Sequence, residues 1–139
     1  MTIVICDKTA MAADSQATSP YGMTACSKVF RLRTGEIVGL SGTLVDGLLF
    51  IEWLKEGAEG KAPPMKNVEA LMIKGGRIWN YDSSSFAMKV TDKVAAIGSG
   101  AQFALGAYYA GAGLKQAVQI ACKLDPYSGG RTRCLVQKD

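Results

Sequence analysis

The 139-residue chain contains no histidine. That absence removes Ser-His-Asp and Cys-His catalysis, and any zinc site built on imidazole. Cys6, Cys26, Cys122 and Cys134 form no C-x-x-C pair, so neither a metal site nor a redox dithiol is indicated. They read as reduced, mostly buried thiols. No unbroken apolar run reaches about 18 residues, and no charged-then-apolar leader opens the chain. A cytoplasmic protein with no membrane partner is therefore expected. The net charge is a modest +4. Arg31 and Arg33, then Arg131 and Arg133, alternate as on the outer face of strands, and no basic run is interleaved with aromatics. Nucleic acid is not an expected partner.

What is present is a globular composition, 48% hydrophobic and 20% charged, of a length that suits one domain over residues 1–139. Thr2 stands directly behind Met1. Removing Met1 would put a hydroxyl and a free α-amine on the same residue. A hydroxyl nucleophile needs a base, and a neutral amine close by can serve. Without histidine, this is one of few hydrolytic routes left.

Strand signals come first. Thr2–Cys6 and Thr9–Ala13 flank an Asp7-Lys8 turn, and Asp14 ends the second run. Ser19-Pro20-Tyr21-Gly22 reads as a turn. Ser27–Leu32 alternates like a half-buried strand, and Arg33–Glu36 turns it into Ile37–Ser41. A helix is expected over Leu44–Glu56, with Thr43 as N-cap and Gly57 as the stop. Ala58–Asn67 reads as a connector. Val68–Ile73 and Arg77–Tyr81 form a hairpin about Gly75-Gly76. Ser83–Ser85 reads as a loop, and Phe86–Val90 and Val94–Ile97 as strands. Helices follow over Ala101–Ala110, rich in small residues and expected to pack closely, and from Leu114, where Leu114, Ala117, Val118, Ala121 and Leu124 share one face. Asp125–Gly130 is a turn and Thr132–Gln137 a closing strand. Strands, a helix, more strands, two helices and a strand make an α+β order.

Four segments stand in order along this framework: AADSQAT (Ala12–Thr18), SKVFRL (Ser27–Leu32), AIGSG (Ala96–Gly100) and DPYSGG (Asp125–Gly130). Singly, each is an ordinary strand end or turn. Together they resemble the proteasome β-subunit and HslV-type peptidases, which are N-terminal-nucleophile hydrolases. The resemblance implies a four-layer αββα sandwich of two antiparallel sheets between helices. It further implies stacked homo-oligomeric rings enclosing the sites, polypeptide substrates, no metal and no cofactor. The family's habit admits an ATP-dependent unfoldase as partner. By position, Thr2 matches the nucleophile, Asp14 and Lys28 the catalytic aspartate and lysine, and Gly42 the glycine whose N–H faces the oxyanion. Ser99, Asp125 and Ser128 match the cluster that orients the terminal amine. Ala17 and Thr18 match the edge that pairs with substrate. Cys26, Leu40 and Leu44 match a small apolar specificity pocket.

The chemistry fits these residue types. An α-amine titrates at about 7.7–8.0 unperturbed. A nearby ammonium lowers that value, because like charges disfavour a second cation. At about 4 Å and an effective dielectric near 20, the repulsion is roughly 4 kcal/mol, enough to poise the amine as base even when strongly screened. The expected reaction is acyl transfer to Thr2 followed by hydrolysis of the ester.

The chain departs from the family in length. Between Gly57 and Val68 there is room for a connector but no second helix, so a reduced first helical layer is expected. If Ile3-Val4 rather than Thr2 sets the register, Met1 occupies the nucleophile position and the chain is an inactive ring-forming scaffold. An N-terminal-nucleophile amidase acting on a small amide is the third reading.

Overall fold

Two-residue alternation sets the central layers. In the computed structural model, which describes residues 2–19, 22–82 and 87–137, strand β1 (Val4–Asp7) is buried on both faces. Val4 and Cys6 point into one core, while Ile3 and Ile5 point into another. Strand β1 pairs antiparallel with β2 (Ala10–Ala13) and β10 (Val94–Ile97), Val4 lying opposite both Ala13 and Ile97. Strand β11 (Arg133–Val136) joins the far edge of β2, giving the order β10-β1-β2-β11.

The second main sheet runs β5 (Val29–Arg31), β6 (Ile37–Gly42), β7 (Val68–Lys74), β8 (Arg77–Tyr81) and β9 (Ala87–Val90) in sequence order. Neighbours are antiparallel throughout. Between the sheets, Val4, Cys6, Met11 and Ala13 meet Ile37, Leu71, Ile73 and Ile78. At Gly39 the sheets come into direct contact. A Cβ there would stand 2.5 Å from Val4 Cγ1 and 2.6 Å from Met11 Sδ.

Helices close both outer faces. Phe50 and Ile51 of α1 (Leu44–Lys55) pack on Val38, Leu40, Ala70 and Met72. Burying a side chain such as Phe50 contributes about 1.5–3 kcal/mol. On the other face, Ala104 of α2 (Ala101–Tyr109) and Ala117, Val118 and Ala121 of α3 (Leu114–Leu124) pack on Ile3, Ile5, Ala12 and Val94. The result is the αββα sandwich, with, among the described residues, one helix outside the five-stranded sheet and two outside the other.

Several expectations need correction. A third, two-stranded sheet is present: β3 (Gln16–Ser19) and β4 (Gly22–Ala25) form a hairpin where only its turn was expected. Pro20 and Tyr21 of that turn lie outside the described residues, as do the loop Ser83–Ser85 and Phe86 of the expected strand. Strand β1 starts at Val4 rather than Thr2. Thr43 holds the N-cap position but makes no side-chain capping bond. Leu124, expected on the buried face of α3, is 58% exposed at the helix's end. Gly106 of α2 has open space where a Cβ would project, so close helix packing does not run through it. Of the cysteines only Cys6 is buried. Cys26 and Cys122 are half-buried and Cys134 is exposed.

Candidate active site

The first residues of the chain are tied down by groups from two distant segments, Asp14 and Gly98–Gly100. The N–H of Ile3 donates to Asp14 Oδ1 at 3.1 Å, and the N–H of Asp14 returns a bond to the Ile3 carbonyl at 3.2 Å. The Thr2 carbonyl accepts from the N–H of Gly100 at 3.3 Å. Gly98 presses against the same carbonyl: with φ +101, its Cβ position would lie 1.9 Å from Thr2 O. Any side chain there would expel the strand. The glycines of the AIGSG segment are thus seats for Thr2.

Asp14, at the end of β2, is wholly buried, and Lys28, just ahead of β5, is 4% exposed. Lys28 Nζ donates to Asp14 Oδ1 at 2.9 Å. The other carboxylate oxygen accepts the Gly129 N–H at 3.0 Å. A buried ion pair needs such additional donors to offset its desolvation.

A second carboxylate, Asp125, caps the C-terminal end of α3. Its Oδ2 accepts hydroxyl bonds from Ser99 at 2.6 Å and from Ser128, and its Oδ1 accepts the Tyr127 N–H at 3.3 Å. Burial alone would raise this carboxyl, but the bonds from Ser128, Ser99 and Tyr127 outweigh it and hold the group below its ordinary value. Gly100 joins the two regions. Its N–H holds Thr2, and a Cβ on it would lie 3.2 Å from Asp125 Oδ2.

Thr2 faces a cavity of about 550 Å³. Lys28 and Gly42 line it, as do Ala17, Cys26, Leu40 and Leu44 of the expected substrate edge and specificity pocket. Asp14 reaches the cavity through Lys28. Ser99, Asp125 and Ser128 do not line it; Asp125 and Ser128 are buried and Ser99 is exposed. Thr18 pairs with Met23 within the β3–β4 hairpin, and its side chain lies outside the described residues.

Four lining residues were not anticipated: Gln16, Ser41, Thr43 and Asn67. Gln16 and Ser41 sit inside or beside segments already singled out, so adjacency was their available signal. Asn67 carried none, because it arrives only when the connector folds back. Its carbonyl accepts the Thr43 N–H at 2.9 Å and would lie 1.9 Å from a Cβ on Gly42 (φ +109). Gly42 therefore has both a backbone conformation and a close approach that demand glycine.

The thiols do not compete for the role of nucleophile at Cys6 and Cys122. Burial pushes Cys6 up to about 12 and Cys122 up to about 11. Among the described residues, no group of three or more Cys, Asp or Glu side chains is placed to hold a metal ion.

No family model and no curated protein matches the sequence. Solved structures do match it. BPH of Thiobacillus denitrificans aligns over 99% of this chain and 98% of its own, with TM-score 0.78 and 19% identity. The eukaryotic HslV from Trypanosoma brucei aligns over 99% of each chain, with TM-score 0.74 and 18% identity.

The chain has the HslV fold.

A Gly-1 mutant of Anbu from Hyphomicrobium sp. strain MC1 shares that fold at TM-score 0.76 and 12% identity, over 99% of this chain and 82% of that one. At such identities the likeness is one of architecture. Within that framework, Thr2 lies two residues ahead of β1, whose first residue is Val4, and lines the cavity.

Proposed function

We propose that this chain is a threonine-type endopeptidase working from an N-terminal Thr2. The observation that carries the reading is the convergence of Thr2, the Asp14–Lys28 pair and Gly42 on one cavity. The Thr2 hydroxyl attacks the scissile carbonyl while its own α-amine takes the proton and passes it to the leaving amine. Lys28, kept charged by Asp14, lowers the amine's proton affinity. The Gly42 N–H stabilises the tetrahedral oxyanion, a role worth about 3–4 kcal/mol where such donors have been removed. Water then hydrolyses the ester by the same amine. Ser99, Asp125 and Ser128 orient the amine. Extended substrate pairs along Ala17 and Thr18, with an apolar side chain between Cys26, Leu40 and Leu44.

The HslV fold supports self-association into homomeric stacked rings around a chamber that admits unfolded polypeptide, with a cytoplasmic location. An ATP-dependent unfoldase belongs to this reading only as an associated partner.

BPH has been solved in complex with epoxomicin, on a chain that aligns with 99% of this one at TM-score 0.74. That supports the same reagent as the test. Intact mass after incubation with epoxomicin should show loss of Met1 and one adduct per chain, and Thr2→Ala should show none. A free Thr2 with no adduct and no peptide cleavage overturns the peptidase reading. Retained Met1 in a large particle returns the scaffold reading. A monomer that turns over small amides returns the amidase.

A further inference from the structure

The five-stranded sheet is only partly covered. Helix α1 packs chiefly on β6 and β7 and reaches β8 through the contact of Phe50 with Tyr81, which leaves Trp79 half-buried and Ala87, Met88 and Lys89 of β9 exposed. Beyond the C-terminal end of α1, two adjoining hollows of about 450 and 670 Å³ share Met72, Lys74 and Tyr81. Their floor is apolar, with Leu32 and Met72 buried and Leu54, Trp79 and Tyr81 half-buried. The rim is cationic. Arg33, Lys74 and Arg77 are exposed and make no ion pair or side-chain hydrogen bond among the described residues. The acidic group at the rim, Glu36, is engaged by the Thr34 hydroxyl.

We propose that this groove docks an acidic amphipathic helix of a partner protein. The uncovered strip lies alongside a helix already seated on the sheet, and neighbouring helices pack at about 8–10 Å. A second helix therefore fits beside α1, its apolar stripe on Trp79, Tyr81 and Leu54. Unpaired cations on the rim select acidic residues at the flanks of that stripe, since complementary potentials set partner choice and encounter rate. A second copy meeting the groove isologously would set these cations against themselves. Single-stranded RNA needs free aromatic faces for stacking. Here the Tyr81 ring already packs on Phe50, centroids 4.9 Å apart. The groove stands at the opposite end of α1 from Thr43 and Leu44, which line the Thr2 cavity. Twelve helical residues separate the two by about 18 Å. Docking therefore leaves the Thr2 cavity open, and the inference does not depend on the proposed peptidase activity.

The probe is a labelled 16-residue peptide with leucines at helical i, i+3, i+4 spacing and glutamates elsewhere, followed by fluorescence anisotropy on the full chain. Saturable binding that weakens with salt is expected, with at least about tenfold loss in the exposed-charge variant Arg33→Glu/Lys74→Glu/Arg77→Glu. Thr2→Ala should bind as the parent does. Equal binding of the variant, or equal binding of the same peptide with lysines for glutamates, overturns the proposal. So does equal binding of an all-glutamate peptide or of oligouridylate. A change of sedimentation in the triple variant would assign the groove to a second copy and overturn it as well.

Discussion

Asp14 and Asp125 are both buried carboxylates within the same site, and they are neutralised by different means. Asp14 faces a cation, Lys28, with the N–H groups of Ile3 and Gly129 completing its shell. Asp125 is held by two hydroxyls and the Tyr127 N–H. A charge balanced by a charge is costly to disturb from either side, because whichever partner remains is stranded away from water. A charge balanced by neutral dipoles loses its donors one at a time, at a smaller cost for each. The first arrangement suits a site whose electrostatics must stay fixed. The second suits a scaffold that holds geometry.

The largest effect should come from Asp14→Ala, which takes the carboxylate away from buried Lys28. A loss of about 3–5 kcal/mol in unfolding free energy is expected from urea titration. A loss below about 1 kcal/mol, the level of an exposed pair, would remove the contrast. Lys28→Met should leave Asp14 with its two N–H donors and cut turnover by about 100-fold or more, equivalent to about 2.7 kcal/mol in the barrier. Peptide kinetics check it, with intact folding verified by circular dichroism. Asp125→Asn keeps the shape and removes the charge from the hydroxyl-bonded cluster. Its expected cost is about 1.5–3 kcal/mol in the same titration. A cost equal to that of Asp14→Ala would mean the two shells are equivalent after all.

The smallest effect is a matter of pH. The folded Asp125 carboxyl lies below its ordinary value of 3.8. Its ionised form therefore adds stability that is fully present above pH 3.8 and is lost as the pH falls through the lowered folded value. Ser99→Ala removes one of the donors responsible and should cost about 1 kcal/mol at neutral pH. The gap between variant and parent should close in acid. A gap that stays constant down to pH 2 would show that Ser99 acts through packing rather than through the carboxylate.

The two sheets were legible in the sequence because burial imposes a period. The TIVIC run and the VEALMIK hairpin arm lie between layers, and their apolar residues report both faces. The β3–β4 hairpin was not legible for the converse reason. Its second strand, GMTA, is exposed along its whole length, so no core imprinted a pattern on it. Leu124 was misread because helical spacing continues to the end of α3 while the sheet beneath it does not. The site divides along the same line. Thr2 stood out through the chemistry left to a chain without histidine, and the other site residues were proposed by resemblance to a family. Spacing alone does not bring residues 14, 28 and 129 together. Asn67 was invisible because its contribution is a backbone carbonyl, which leaves no trace in residue type.

The clamp on Thr2 also sets a clock. Thr2 is 3% exposed, and its carbonyl is bound by Gly100, a residue the ribosome adds long after it. On the proposed reading, an aminopeptidase that needs an extended end would liberate the Thr2 amine before that bond forms. At the usual elongation rate of about 5–20 residues per second, the interval is roughly 5–20 s. A chain refolded with an untrimmed end should then resist trimming afterwards, however long the enzyme is supplied. Maturation would be a race decided during synthesis, and the fraction of competent subunits would follow translation speed.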